Sequence, residues 1–152
     1  MNKAQSAGIV IVRFEGNKPK VLLMRAYSYW DFPKGGVEKE ENKIQAAIRE
    51  VKEESGIVDL DFKWGKSFYE TEPYGKTRKV VSYFLAETHE KKVVMGINPG
   101  AEKPEHEEYR WIDFDEAKSL AGERIKRVLA WAENRILNLY ENKRDKKMRS
   151  ND

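Results

Sequence analysis

Two stripes of side chains on residues 42–55 recur with the spacing of an α-helix. The apolar stripe occupies relative positions 0, 3, 4 and 7 and consists of Ile44, Ala47, Ile48 and Val51. The acidic stripe occupies relative positions 0, 3 and 4 and consists of Glu50, Glu53 and Glu54. At ~100° per residue the two stripes lie roughly 110–120° apart. We therefore predict a helix that packs on a sheet through one face and presents three carboxylates together on the adjacent face.

Three neighbouring carboxylates repel one another unless a cation lies between them. Mg²⁺ prefers oxygen ligands and usually keeps waters or substrate phosphates in its remaining positions. The acidic stripe is therefore a candidate Mg²⁺ site, in which Mn²⁺ can substitute. Ala46 is predicted on the same face, where its small side chain leaves room for a ligand, and Arg49 lies one turn before Glu53 and can pair with it. The alternative is an ordinary solvated acidic face, since glutamate-rich helices are common.

The remaining segments predict a mixed α/β (α+β) fold, with a mixed β-sheet between helices. Runs rich in β-branched and aromatic residues predict strands over residues 7–14, 20–25, 57–69, 77–87 and 109–112. Residues 26–41 and 88–107 are predicted to be loops. Gly56 is the expected C-cap of the acidic helix. Asp113 and Glu116 resemble a capping box that begins a short helix, and an apolar stripe predicts a last helix over residues 123–140.

Length and composition indicate one domain with a charged surface. The chain has 152 residues, of which 36% are charged, and no cysteine. The absence of cysteine excludes disulfides, thiol nucleophiles and cysteine-ligated zinc. The polar start lacks the apolar core of a signal peptide, and no apolar run approaches the ~20 residues of a membrane span. We therefore predict a cytoplasmic protein without membrane contact.

The end of the chain differs from the rest in charge. Residues 142–152 contain five basic side chains: Lys143, Arg144, Lys146, Lys147 and Arg149. We predict a domain over residues 1–141, followed by a basic, disordered tail over residues 142–152. The alternative is an arm that contacts nucleic acid.

The acidic helix is part of a longer pattern, which runs from residue 35 to residue 57 and reads GGVEKEENKIQAAIREVKEESGI. This segment resembles the Nudix box, G-x5-E-x7-R-E-U-x-E-E-x-G-U with U aliphatic, at all nine fixed positions. Those positions are Gly35, Glu41, Arg49, Glu50, Val51, Glu53, Glu54, Gly56 and Ile57. The chain is thereby identified as a member of the Nudix hydrolase superfamily.

The resemblance implies a Nudix fold and the hydrolysis of a nucleoside diphosphate linked to another group. It implies that the carbonyl of Gly35 and the carboxylates of Glu50, Glu53 and Glu54 bind the metal ion. Arg49 and Glu41 would orient these ligands. By general chemistry, the bound metal stabilises charge on a bridging phosphate oxygen and lowers the pKa of a water molecule. A carboxylate can accept the proton of that water without a covalent intermediate.

Three flanking segments are similar to the asymmetrical diadenosine tetraphosphate hydrolases. Residues 30–36 (WDFPKGG) correspond to the first seven positions of W-x-x-P-K-G-x-V-E, residues 79–87 (KVVSYFLAE) to K-x-x-x-Y-[WFY]-L-A-E, and residues 105–111 (EHEEYRW) to E-H-x-x-Y-R-W. Gly36 departs from the family, which often has histidine or asparagine there. The similarity covers about residues 7 to 130 and implies asymmetrical cleavage of a dinucleoside polyphosphate into a nucleoside triphosphate and a nucleoside monophosphate.

Carried over residue by residue, the similarity also predicts substrate contacts. Tyr83 and Tyr109 would stack on or flank a base, and Lys34, Lys79 and His106 would contact phosphates. Glu105 would be a general base or a further metal ligand. The alternatives are a core position for Tyr83 and ordinary loop positions for Lys34 and His106.

Three other functions remain open from the sequence. One is removal of pyrophosphate from the 5′ end of RNA, and a second is cleavage of diphosphoinositol polyphosphates. The third is a nucleotide-binding module without catalysis, although all three box carboxylates that such modules usually lose are present. The expected partners are a small nucleotide substrate or an RNA 5′ end, and no obligate protein partner is inferred.

Overall fold

The computed structural model describes residues 5–96 and 103–149, with the side chains of residues 5–96 and 103–138. The strands of this part of the chain are β1 (Gln5–Glu15), β2 (Lys18–Ala26), β3 (Tyr29–Asp31), β4 (Lys34–Gly36), β5 (Tyr69–Glu70), β6 (Val80–Glu87) and β7 (Glu108–Ile112). The helices are α1 (Lys43–Ser55), α2 (Phe114–Leu120) and α3 (Glu123–Arg149). No helix within it combines the length and the apolar composition that a transmembrane segment requires.

The strands form one mixed sheet in the order β3-β2-β1-β6-β5. β1 and β6 run parallel, and the other pairs are antiparallel. β4 pairs with the beginning of β1, and β7 pairs with β2. These two pairings place the segment before α1 and the segment around Tyr109 on the same sheet.

Successive residues of β1 contribute to two separate cores, because side chains alternate between the faces of a strand. Val10 and Val12 belong to the core shared with α2 and α3, and Ile9 and Ile11 belong to the core shared with α1. All eight residues of β6 are buried, as expected for a strand covered on both faces. The predicted mixed sheet between helices is thus confirmed.

The ends of α1 lie where local sequence signals predict them. Asn42 is the N-cap, and its side chain accepts a hydrogen bond from the backbone N–H of Gln45, whose side chain bonds back to Asn42. Gly56 ends the helix with φ of 76°, a left-handed conformation that glycine adopts without strain.

The buried face of α1 is rotated relative to the predicted stripe. Ala46 is fully buried and packs in the α1 core, whereas Ile48 is 39% exposed. The prediction that Ala46 leaves room for a ligand beside the glutamates is therefore wrong. The buried residues of the helix are Ala46, Ala47, Val51 and Ser55.

Two predicted segments are also wrong. Residues 57–69 are not a strand, since only Asp61 forms an isolated bridge with Glu87 and β5 begins at Tyr69. Gly65, with φ of 96°, lies in a turn within that segment. Residues 26–41 contain β3 and β4 rather than loop alone.

The last helix continues past the predicted end at residue 140. α3 extends to Arg149, because the lysines, arginines and methionine of its last turns are good helix formers that need no apolar stripe. The backbone of residues 142–149 is therefore helical. Residues 150–152 and the side chains of the predicted tail lie outside the described residues, so the domain boundary at residue 141 and the nucleic-acid arm stay predictions.

Candidate active site

Gly35 lies where β4 meets the acidic face of α1. β4 is held against β1 by the pairing of Gly35 with Ala7. A Cβ atom at Gly35 would lie 2.1 Å from Cδ of Glu50, far inside van der Waals contact. Only glycine therefore allows the backbone of β4 to approach this carboxylate so closely.

Arg49 connects the loop before α1 with two of the predicted ligands. Its guanidinium donates two hydrogen bonds to Glu41, from Nε to Oε2 at 2.8 Å and from Nη2 to Oε1 at 3.0 Å. Nη1 donates to Glu50 Oε1 at 2.8 Å and to Glu53 Oε2 at 3.2 Å, and Nη2 also donates to the carbonyl of Gly36 at 2.9 Å. Arg49 thereby restricts the positions of the carboxylates around it.

Glu54 is the most strongly perturbed acid of the site. Its Oε2 accepts a hydrogen bond from the backbone N–H of Lys34 at 2.8 Å. Burial, together with the charges of Glu105 and Glu50, raises the pKa of Glu54 to about 8 against the effect of that hydrogen bond. Burial also raises the pKa of Glu50, although Arg49 opposes it. A cation would stabilise the ionised form of both groups.

The donor set of this face is suited to a divalent cation, because Mg²⁺ and Mn²⁺ prefer carboxylate and carbonyl oxygens. The side chains do not enclose an ion in this conformation. Among the described side chains, those of residues 5–96 and 103–138, no three acidic or histidine groups converge closely enough to do so. Glu50 and the half-exposed Glu53 pair with Arg49 instead. Joint ligation therefore requires side chains to turn, and the metal site stays a prediction.

Basic side chains from separate segments gather beside the acidic face. Lys34 Nζ lies 3.8 Å from Asp31 Oδ2. The positive charge of Lys34, with burial, lowers the pKa of Lys79. Burial lowers the pKa of His106, and the charges of Glu105, Asp31 and Lys34 act on the same ring. The structure thus brings together the predicted phosphate contacts Lys34, Lys79 and His106, with Glu105 among them.

Tyr83 is not available as a stacking surface. The side chain is fully buried, its ring packs edge-on against Phe32 at 5.2 Å, and its hydroxyl donates to Asp31 Oδ1 at 2.6 Å. A base cannot reach either face of this ring. The predicted stacking role does not fit the structure, and the alternative of a core tyrosine does.

Tyr109 is 37% exposed and shares a face of the sheet with Tyr29, a tyrosine that sequence analysis did not single out. On one side of β2, Ala26 pairs with Tyr29 of β3, and on the other side Met24 pairs with Tyr109 of β7. Paired residues, and residues two apart on a strand, share a face of the sheet. Tyr29, which is 74% exposed, therefore lies on the same face as Tyr109, across β2. Tyr29 had no sequence signal beyond its place in an aromatic-rich segment.

A second missed group consists of Asp31 and Arg124. Nη2 of Arg124 donates to Asp31 Oδ2 at 3.1 Å, and Nη1 donates to the hydroxyl oxygen of Tyr83 at 3.2 Å. The guanidinium also lies 4.0 Å from the ring centroid of Tyr74. Asp31 and Arg124 are 93 residues apart in the chain, so no local pattern could predict their contact.

Comparisons with known proteins agree with the geometry of this site. The NUDIX domain family model matches residues 2–132. The asymmetrical bis(5′-nucleosyl)-tetraphosphatase of Caenorhabditis elegans is 33% identical over 123 residues, which cover 77% of this chain and 84% of the relative. An RNA pyrophosphohydrolase of Bartonella tribocorum is 30% identical over 137 residues, which cover 75% of this chain and 78% of the relative.

A solved structure shows the same architecture. The crystal structure of a C. elegans Ap4A hydrolase binary complex aligns with a TM-score of 0.74 and 27% sequence identity, covering 88% of this chain and 98% of that one. The box residues, the mixed sheet and these similarities lead to one conclusion. The chain belongs to the NUDIX domain family and is a Nudix pyrophosphohydrolase, an enzyme that cleaves phosphoric anhydride bonds.

Proposed function

We propose that this enzyme hydrolyses diadenosine tetraphosphate and related dinucleoside polyphosphates asymmetrically, giving a nucleoside triphosphate and a nucleoside monophosphate. The observation that carries the proposal is the position of Lys34, whose backbone N–H donates to Glu54 Oε2 at 2.8 Å and whose charge acts on Lys79, lowering the pKa of that second cation. Two such cations stabilise a chain of phosphates better than a single phosphate. The similarity to the C. elegans tetraphosphatase supports the same substrate class.

The metal cofactor is proposed to be Mg²⁺, with Mn²⁺ as a substitute. The residues that would hold it are Glu50, Glu53 and Glu54 on α1, with the carbonyl of Gly35 on β4. When bound, the cation supplies positive charge that neutralises the developing charge on a bridging phosphate oxygen and lowers the pKa of a water molecule. The close approach of Gly35 to Glu50 and the burial of Glu54 support this ligand set.

The side chains of the enzyme have separate tasks in the proposed reaction. Arg49 restrains Glu50 and the loop that carries Glu41, which fixes the geometry at the start of α1. Glu105 is the proposed proton acceptor for the attacking water, since its charge already acts on both Glu54 and His106. Lys34, Lys79 and His106 bind and align the phosphates, which contributes to rate through orientation.

Tyr109 is the proposed contact for a base. Its exposed ring shares a face of the sheet with the exposed ring of Tyr29. Base–aromatic stacking contributes about 1–3 kcal/mol per base and depends little on which base is present. This contact explains how one site would accept several dinucleoside polyphosphates.

Removal of pyrophosphate from RNA 5′ ends is the second candidate, because of the similarity to the Bartonella RNA pyrophosphohydrolase. Both reactions require recognition of a phosphate chain. The basic residues at the end of the chain would then contact the RNA backbone.

A product analysis separates the candidates. Equal concentrations of diadenosine tetraphosphate, triphosphorylated RNA, a sugar nucleotide and a diphosphoinositol phosphate are incubated with the enzyme and Mg²⁺, and products are separated by chromatography. We expect the highest kcat/KM for diadenosine tetraphosphate, with ATP and AMP in equal amounts. Two ADP per substrate would contradict asymmetrical cleavage. Pyrophosphate release from RNA at a higher kcat/KM would favour the second candidate.

A further inference from the structure

Both oxygens of the Asp31 carboxylate have partners. Oδ1 accepts hydrogen bonds from the hydroxyl of Tyr83 at 2.6 Å and from the backbone N–H of Phe32 at 2.7 Å. Oδ2 lies 3.1 Å from Nη2 of Arg124 and 3.8 Å from Nζ of Lys34. Two cations therefore share one carboxylate oxygen, and Arg124 has the closer position.

The longer distance leaves Lys34 able to bind another anion. At 3.8 Å the ammonium is beyond hydrogen-bonding distance of Oδ2, so charge alone associates the two groups. Charge-assisted hydrogen bonds form at about 2.7–2.9 Å. If Oδ2 lost its bond to Arg124, Lys34 could close to that distance and become a full ion pair with Asp31.

Arg124 is itself held in place by two further contacts. Its guanidinium lies 4.0 Å from the ring centroid of Tyr74 and donates to the hydroxyl oxygen of Tyr83 at 3.2 Å. A planar guanidinium can make a stacked contact and directed hydrogen bonds at the same time, which an ammonium cannot. These contacts fix Arg124 against Asp31 independently of Lys34.

We propose that Arg124 is a positioning residue which, by occupying Oδ2 of Asp31, keeps Lys34 available to bind the phosphate chain of the substrate. Arg124 acts through Asp31 and Lys34 and does not touch the reacting atoms. This inference rests on the proposed function, because it takes Lys34 as a phosphate contact.

A double-mutant cycle tests the inference, with KM for diadenosine tetraphosphate measured for Lys34→Met, Arg124→Gln and the combination. Each single change is expected to raise KM roughly tenfold or more, the scale of losing a hydrogen bond to a charged group. The double variant should have the KM of Lys34→Met alone, since Arg124 acts only through Lys34. Arg127→Gln on the same helix is the matched control for removal of a basic group and should leave KM unchanged.

A suppressor variant distinguishes positioning from a general electrostatic effect. Asp31→Asn combined with Arg124→Gln should return KM most of the way to the wild-type value, because a neutral amide does not pair with Lys34. If Arg124 contributed only positive potential, its loss would raise KM by the same factor with and without Lys34, and Asp31→Asn would lower KM by the same factor in the wild-type and Arg124→Gln backgrounds. The inference would be overturned if the two single changes multiplied their effects on KM in the double variant. It would also be overturned if the suppressor variant had a KM as high as that of Arg124→Gln alone.

Two further results separate this inference from the proposed function. If Lys34→Met leaves KM unchanged, the phosphate role of Lys34 is wrong and both proposals fail at that residue. If Lys34→Met raises KM but Arg124→Gln does not, the positioning role alone is wrong. Thermal unfolding checks that each variant is folded. If Arg124→Gln does not fold, Arg124→Met replaces it, because the methionine side chain can still pack on Tyr74. If diadenosine tetraphosphate is not cleaved, the Kd of inorganic tripolyphosphate, measured by calorimetry for the same variants, replaces KM in the cycle.

Discussion

Replacement of Gly35 by alanine tests whether the close approach of β4 to Glu50 is required for activity. An added Cβ would lie 2.1 Å from Cδ and 2.3 Å from both carboxylate oxygens of Glu50, whereas ordinary contacts begin at 3.4 Å. The carboxylate must therefore move by about 1 Å or more, which changes its bond to Arg49. Overpacking of this kind costs about 1–3 kcal/mol.

The expected loss has two measurable parts. In a domain of this size about 1 kcal/mol lowers the melting temperature by roughly 2–4 °C, so Gly35→Ala should lower it by about 2–12 °C. Turnover should fall by about 10²–10³, the range for removing one preorganised electrostatic element. Calorimetry and a steady-state assay with diadenosine tetraphosphate measure the two effects separately.

Gly36 supplies the matched control for this variant. A Cβ there meets no atom within 4 Å, and neither Gly35 nor Gly36 has a positive φ. Gly36→Ala should therefore keep wild-type stability and turnover. Wild-type turnover in Gly35→Ala, or an equal loss in Gly36→Ala, would refute the argument that the contact with Glu50 is the cause.

Three other predictions concern the ligands, the base contact and the end of the chain. Glu53→Gln and Glu54→Gln should each lower turnover by about 10²–10³ while the fold survives, as measured by kinetics and circular dichroism; near-normal turnover in both would remove the metal site. Tyr109→Ala should weaken binding of base-containing substrates by about 1–3 kcal/mol and Tyr109→Phe much less; equal losses on every substrate with a lower melting temperature would instead mark a packing role. Deletion of residues 142–152 should leave turnover on dinucleotides unchanged, and a loss confined to triphosphorylated RNA would support the nucleic-acid arm.

Local signals predicted the part of the site that is encoded in one segment. The left-handed Gly56 and the glutamates of α1 lie within a few residues of the groups they affect, so spacing alone located them. The rotated buried face of α1 was not predictable, because the packing angle of a helix on a sheet determines whether Ala46 or Ile48 is covered.

The features of the site that the sequence did not predict depend on contacts between distant segments. Burial of Tyr83 depends on coverage of β6 by helices on both faces, which the alternating pattern of its residues does not reveal. The bond between Asp31 and Arg124 joins β3 to α3, and the location of Tyr29 and Tyr109 on one face of the sheet depends on both strands pairing with β2. Such non-local pairings arise only when the sheet forms.

Divalent-cation binding by the glutamates of α1 is the claim on which the proposed chemistry depends, and Mn²⁺ binding measured by electron paramagnetic resonance tests it directly. The wild-type protein should remove the signal of free Mn²⁺, and Mg²⁺ should compete for the same site. The combined Glu53→Gln and Glu54→Gln variant should bind Mn²⁺ at least about tenfold more weakly, since it loses two charged ligands. Glu15→Gln, at the opposite end of β1 from Gly35, removes a carboxylate away from the site and should bind normally. Undiminished Mn²⁺ binding in the combined variant would contradict the metal site.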